Sequence, residues 1–162
     1  MAHRLGILGT AALAFAVLTI VVLVAQAFRN RQQTEVEYVA NPARTPGVLN
    51  PDVTQATIGR TICVRGWTRT IRPSSSYTSE LKRRQMQEYG STGTPSDYQE
   101  DHLISLELGG HPTDPRNLWP EPRPQAEEVD QRENELNDRI CAGSLSLADA
   151  QDRIRAEKYS GG

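Results

Sequence analysis

Cysteine, phenylalanine and tryptophan are nearly missing from this chain, with two of each in 162 residues. With no Cys-x-x-Cys pair, the thiols cannot assemble a structural zinc site, and no Cys-His arrangement marks a nucleophilic cysteine. Aromatic residues make up 6% of the chain, so any core is modest and mostly aliphatic. Internal repeats and low-complexity tracts are absent. A net charge of −2 is too small to class the chain as a polyanion or polycation, although the charge is unevenly spread.

The longest absence is of charge. No charged residue occurs from Leu5 to Phe28, and the run LGILGTAALAFAVLTIVVLVAQAF has the length a helix needs to cross a bilayer. Ala25-Gln26-Ala27 is also a small-x-small pattern that a signal peptidase cuts, with Met1 to Arg4 as a positive n-region. The apolar core is longer than the usual h-region, which favours an uncleaved anchor over a cleaved signal. Both imply a domain that is exported, either membrane-anchored or secreted. The expected organisation is a transmembrane anchor or signal peptide over residues 1–28, a polar, proline-containing linker over 29–46 and one domain over 47–162.

Within that domain, Ala56-Thr57-Ile58, Thr61-Ile62-Cys63-Val64 and Trp67 to Ile71 are rich in β-branched and aromatic residues and read as strands. Thr78 or Ser79 is placed to cap a helix running to Tyr89, with Gly90 as its stop; Ala126 to Ile140 has the composition of a second helix. Ser146 with Asp149 forms a capping box for a third, to about Lys158, with Leu147, Ala150 and Ile154 turned inward. In an exported domain Cys63 and Cys141 are expected to form a disulfide, which the chain-entropy model values at roughly 3 to 5 kcal/mol for so long a loop.

Arg60, Arg65, Arg69, Arg72, Lys82, Arg83 and Arg84 stand against one acid, Glu80, between residues 60 and 84, whereas acids dominate from Asp97 onward. A cationic surface beside an acidic one suits phosphate neutralisation next to a divalent-ion site. A hairpin and helix merely coated with basic side chains is the alternative reading.

The stretch from Tyr98 to Pro122, YQEDHLISLELGGHPTDPRNLWPEP, carries the chemistry. An acid pair and a histidine (Glu100, Asp101, His102) precede an apolar alternation at Leu103, Ile104, Leu106 and Leu108 that reads as a short strand; Gly109-Gly110 turns the chain, and Asn117, Leu118 and Trp119 return it. Asp101, His102, Leu103, Ile104, Leu106, Gly109, Gly110, Asp114, Asn117 and Leu118 fall in order on the D-H, G-G, N-L pattern, and the segment resembles the HNH endonucleases with their ββα-metal core. Ser105 stands where the family usually has proline, the following helix lacks the family's histidine, and the zinc-binding cysteines are absent.

The resemblance implies an α+β fold: a small ββα-metal core with additional N-terminal strands and flanking helices. It implies a metal-dependent endonuclease acting on nucleic acid, with DNA favoured over RNA, and no small-molecule cofactor. Asp101 becomes the ligand of a single Mg²⁺ or Mn²⁺, His102 the general base, and Asn117 a brace across the Gly-Gly turn. For the helix ligand the chain offers Asp130, Glu133 and Asn134, of which Asn134 is favoured because some ββα-metal nucleases use asparagine there. Arg69, Arg72, Lys82, Arg83 and Arg84 are the candidate phosphate contacts. Because neighbouring strand residues point to opposite sides, Asp101 and His102 could act on one phosphate from two directions. His111 is a rival histidine, read as a surface residue of the turn. The alternative is a non-catalytic envelope domain that keeps the fold for binding a partner or an anionic polymer.

Overall fold

The computed structural model describes residues 19–26 and 38–161, in two separate units divided between Glu37 and Tyr38. In the first unit residues 19–26 are helical, with Ile20 to Val24 exposed. Among the described residues no helix is long and apolar enough to cross a membrane. Most of the expected anchor or signal, and the first part of the linker, lie outside the described residues.

The second unit mixes helix and strand. Short helix α1 (Trp67–Ile71) leads into α2 (Ser75–Tyr89), which starts where the Ser74 side chain accepts a hydrogen bond from the Tyr77 amide and stops at Gly90, φ 68°. Strand β1 (Tyr98–His102) pairs antiparallel with β2 (Leu118–Pro122), setting Asp101 opposite Trp119 and His102 opposite Leu118. Helix α3 (Arg123–Cys141) follows β2 directly, and α4 (Leu147–Ser160) ends the unit. The Ser146 hydroxyl accepts from the Asp149 amide, capping the helix as expected, but the Asp149 carboxylate accepts from that hydroxyl and not from the Ser146 amide, so the expected box is half formed.

The expected N-terminal strands are not there: among the described residues the only sheet is the β1–β2 pair. Threonine chemistry outweighs β-propensity in this region. The Thr57 hydroxyl binds the Asp52 carbonyl and receives the Thr54 amide, and the Thr61 hydroxyl binds the Thr57 carbonyl, so the chain closes into local turns and a 3₁₀ turn at Ile58–Arg60. Gly66, φ 84°, then turns the chain into α1, where a strand was expected from Trp67 to Ile71. The apolar alternation after His102 is likewise not a strand. The strand comes before it, and Leu106–Leu108 form a 3₁₀ turn whose leucines are buried.

Cys63 and Cys141 are bonded, tying the turn region to the end of α3 across 78 residues of chain. The larger core joins α3 and α4 through Val129, Leu136, Ile140, Leu147 and Ile154, with Ile104 and Leu108 inserted from the motif. A smaller one gathers Ala40, Leu103 and fully buried Trp119, on which Tyr38 stacks at 5.9 Å between centroids and 10° between planes. Trp67 packs partly buried against the larger core, so both tryptophans serve packing.

Candidate active site

Leu103 and Ile104 enter different cores, which pins the backbone just beyond β1 and so fixes its last residues, Asp101 and His102. The turn behind them is held by Asn117, which is fully buried. Its side-chain carbonyl accepts from the Ile104 amide at 3.0 Å, and its amide nitrogen donates to the Ile104 and His111 carbonyls, each at 3.0 Å. Gly110 permits this closure. A Cβ there would lie 1.7 Å from the Ile104 carbonyl oxygen and 2.6 Å from the Asn117 amide nitrogen, so no other residue fits. Asn117 therefore spans the turn that carries Gly109 and Gly110.

His102 is buried, and its Nε2 lies 3.0 Å from the Pro112 carbonyl. A carbonyl only accepts, so Nε2 carries the hydrogen and Nδ1 holds the free lone pair. The cleft beside it, about 280 Å³, is lined by Arg72, Ser75, Thr78, Glu100, Asp101 and His102, among others. Burial pulls the His102 pKa below its ordinary value despite the opposing charge of Asp101, keeping the ring neutral and basic near pH 7.

Glu100 lies two residues back on the same side of the strand. Both its carboxylate oxygens are buried without a hydrogen-bond partner, and burial pushes its pKa up to about 8, with Lys82 opposing and Asp101 reinforcing. His102 and Glu100 thus line one cleft, the ring neutral and the Glu100 carboxyl oxygens themselves buried out of solvent's reach.

Asp101 faces another way. Its Oδ2 accepts from the ammonium of Lys158 in α4 at 2.6 Å. The same nitrogen donates to the His102 carbonyl at 2.7 Å and stands 2.8 Å from Glu133 Oε1 and 3.5 Å from Glu121 Oε2. Lys158 and Glu121 are fully buried. Burial would raise the Asp101 pKa, but the Lys158 charge, a hydrogen bond with Glu121 and the nearby His102 hold it well below the usual carboxylate range. Glu121 is pushed up to about 9, chiefly by burial and then by the Asp101 charge, so it carries a proton at neutral pH; Glu133 is pushed up to about 7, again chiefly by burial. Burial disfavours the Lys158 charge, yet the three carboxylates hold its pKa well above the ordinary lysine value.

A divalent ion was expected on Asp101 with a ligand from the helix. The donors around Asp101 are all oxygens, as Mg²⁺ or Mn²⁺ prefers, but they converge on a charged, buried ammonium. The arrangement does not fit a metal ion at Asp101, and no group of three or more His, Cys, Asp or Glu side chains suited to a metal occurs among the described residues. Of the helix candidates, Glu133 joins the Lys158 cluster. Asp130 and Asn134 line, with Glu107 and Arg72, a neighbouring cleft of about 190 Å³, where the Asn134 amide donates to the Asp130 carbonyl at 2.7 Å.

The basic candidates are scattered. Arg72 lines both clefts. Lys82 is spent on structure, donating to the Pro95 and Tyr98 carbonyls at 2.7 and 2.9 Å. Arg84 lies 3.8 Å from Glu80 on the exposed side of α2, Arg83 lines a different pocket with Met86 and Ser91, and Arg69 is exposed on α1. His111 does more than decorate the surface: its Nδ1 accepts from the Thr113 and Asp114 amides at 3.2 and 2.9 Å, holding the second turn.

Sequence reasoning missed Lys158 and Glu121. Lys158 had a signal, for it lies one turn beyond Ile154 on the stripe of Leu147, Ala150 and Ile154. Glu133 likewise interrupts the stripe of Val129, Leu136 and Ile140. Two charges of opposite sign on two apolar stripes are a prompt to pair them. Compared with models of known protein families, with curated proteins and with solved structures, the chain matches none.

Proposed function

We propose that the domain is an endonuclease of the HNH kind that cleaves phosphodiester bonds in nucleic acid, with His102 as general base. The observation that carries this reading is the imidazole pinned at Nε2 by the Pro112 carbonyl, with its free Nδ1 at the end of a strand beside a cleft that also holds Arg72. In the proposed reaction Nδ1 takes a proton from the attacking water as its oxygen bonds to phosphorus. Arg72 neutralises the phosphate, and the departing oxygen takes a proton from solvent water as the old P–O bond breaks. Asn117 positions His102 through the turn it spans.

A second reading, a binding domain without catalysis, is favoured by one observation: the Asp101 carboxylate is engaged by Lys158 rather than turned to substrate. Incubating the full chain with single- and double-stranded DNA and RNA, in Mg²⁺, Mn²⁺ or EDTA, separates the two. Cleavage by wild type, lost in His102→Ala and weakened in Arg72→Ala, supports the nuclease. Retention of nucleic acid without cleavage in every condition gives the claim to the binding domain.

A further inference from the structure

We infer that the ammonium of Lys158 occupies, from within the chain, the seat beside Asp101 that the ββα-metal pattern reserves for a divalent cation, so that the strand bearing His102 is assembled without a metal ion. The inference rests on reading Asp101-His102 as the motif pair. Its test does not depend on cleavage.

The donor set argues for a cation seat. Oxygens from three separate elements close on one point: Asp101 Oδ2 and the His102 carbonyl from β1 at 2.6 and 2.7 Å, Glu133 Oε1 from α3 at 2.8 Å and, further off, Glu121 Oε2 from β2 at 3.5 Å. Carboxylates and a backbone carbonyl are what Mg²⁺, Mn²⁺ or Ca²⁺ recruits, and buried carboxylates do not gather unless a positive charge draws them. Here that charge is covalently attached. An ammonium has three hydrogens, and three oxygens approach it within 2.8 Å, of which Asp101 Oδ2 and the His102 carbonyl accept hydrogen bonds. Glu133 Oε1 is ion-paired without an aligned hydrogen bond, and Glu121, fully buried at 3.5 Å, is the member farthest from the charge.

Displacement by a free ion is blocked by geometry. The Lys158 side chain is 0% exposed, and the backbone that carries it is fastened, its carbonyl accepting from the Ala40 amide at 3.0 Å. The Asp101 side chain is 16% exposed, with its Oδ1 accepting from the Gln99 amide at 3.2 Å, and that of Glu133 is 8% exposed, but an ion that took Asp101 Oδ2 and Glu133 Oε1 together would have to displace an ammonium that no solvent reaches. Exchange at those two oxygens therefore requires Lys158 to move. Shortening the Lys158 side chain should open the seat, leaving three carboxylates around a void, whereas a neutral side chain of similar length should keep it filled.

The test measures Mn²⁺ binding by electron paramagnetic resonance, with melting temperatures in EDTA and in Mn²⁺, on the full chain as wild type, Lys158→Ala and Lys158→Met. Wild type is expected to take up no stoichiometric Mn²⁺ and to melt at the same temperature in EDTA. Lys158→Ala is expected to melt lower, to bind one Mn²⁺ per chain and to recover stability with it; Lys158→Met is expected to melt lower without binding. Should Lys158→Ala be unfolded without metal, Mn²⁺-driven folding is the same result. Wild type binding one Mn²⁺ that Asp101→Asn abolishes would overturn the inference, as would a Lys158→Ala chain that Mn²⁺ neither binds nor stabilises. Failure of wild type to cleave nucleic acid refutes the nuclease reading alone and leaves the occupancy of the seat to these measurements.

Discussion

Two neighbouring residues of β1 live in opposite electrostatic worlds. Asp101 gives one carboxylate oxygen to a buried cluster with Lys158, Glu121 and Glu133, built around a single ammonium. His102 keeps one ring nitrogen for its scaffold and leaves the other to a cleft shared with Glu100 and Arg72. The backbone links them, because the His102 carbonyl is itself a ligand of the Lys158 ammonium. The difference teaches how a five-residue strand can divide its work: one side chain is spent on holding the strand in place, and the next, under the proposed reading, is the one held ready for chemistry.

The comparison breaks first at His102. If that side is chemical, His102→Ala should lower turnover by roughly 10²- to 10⁴-fold while the melting temperature moves little. The acid limb of the kcat/KM profile should fall below the ordinary histidine pKa, since burial lowers this one. Asp101→Ala should behave in the reverse order, losing roughly 3 to 5 kcal/mol of stability because it strands a buried ammonium, with activity failing along with the fold. Urea titration beside single-turnover kinetics separates the two; equal stability losses at both positions would erase the distinction drawn here.

A subtler test uses the proton on Glu121. Its folded pKa of about 9 lies above the ordinary value of 4.5, so between those limits the folded chain holds more protons than the unfolded one, and stability must fall as pH rises through that window. Glu100 and Glu133, raised to about 8 and about 7, act in the same direction. Glu121→Gln should flatten this slope by up to ~1.4 kcal/mol per pH unit, the value of one proton, read from urea midpoints between pH 5 and 9. The smallest effect belongs to His111→Ala. It should cost about 1 kcal/mol through the two turn amides it leaves unpaired and should not alter the pH–rate profile.

What the sequence made legible follows the range of the interactions involved. Local chemistry was readable: the cap at Ser146 and the stop at Gly90 lie where side-chain type and spacing place them, and the disulfide followed from there being two cysteines in a domain read as exported. Asn117 as a turn brace came from the resemblance of the D-H, G-G, N-L order to the HNH pattern, and its side chain does span the turn. The failures came where tertiary context overrides propensity. The β-branched run from Ala56 to Ile71 reads as strands only if its threonines are assumed to face a sheet, and they bind their own turns instead. The stripe of its helix marks Lys158 as turned inward, but its partner Asp101, 57 residues away, is outside any local window, and a lysine at a helix end is ordinarily solvated.

The placement of Lys158 also sets an order of events. Asp101, Glu121 and Glu133 are made well before it, and until α4 docks they are acids with no counter-charge. Lys158 supplies that charge, and through the Ala40 amide it fastens the first described residues of the domain to its last helix. A chain cut short of α4 lacks both, so the strand that carries Asp101 and His102 loses its ammonium and its clamp together.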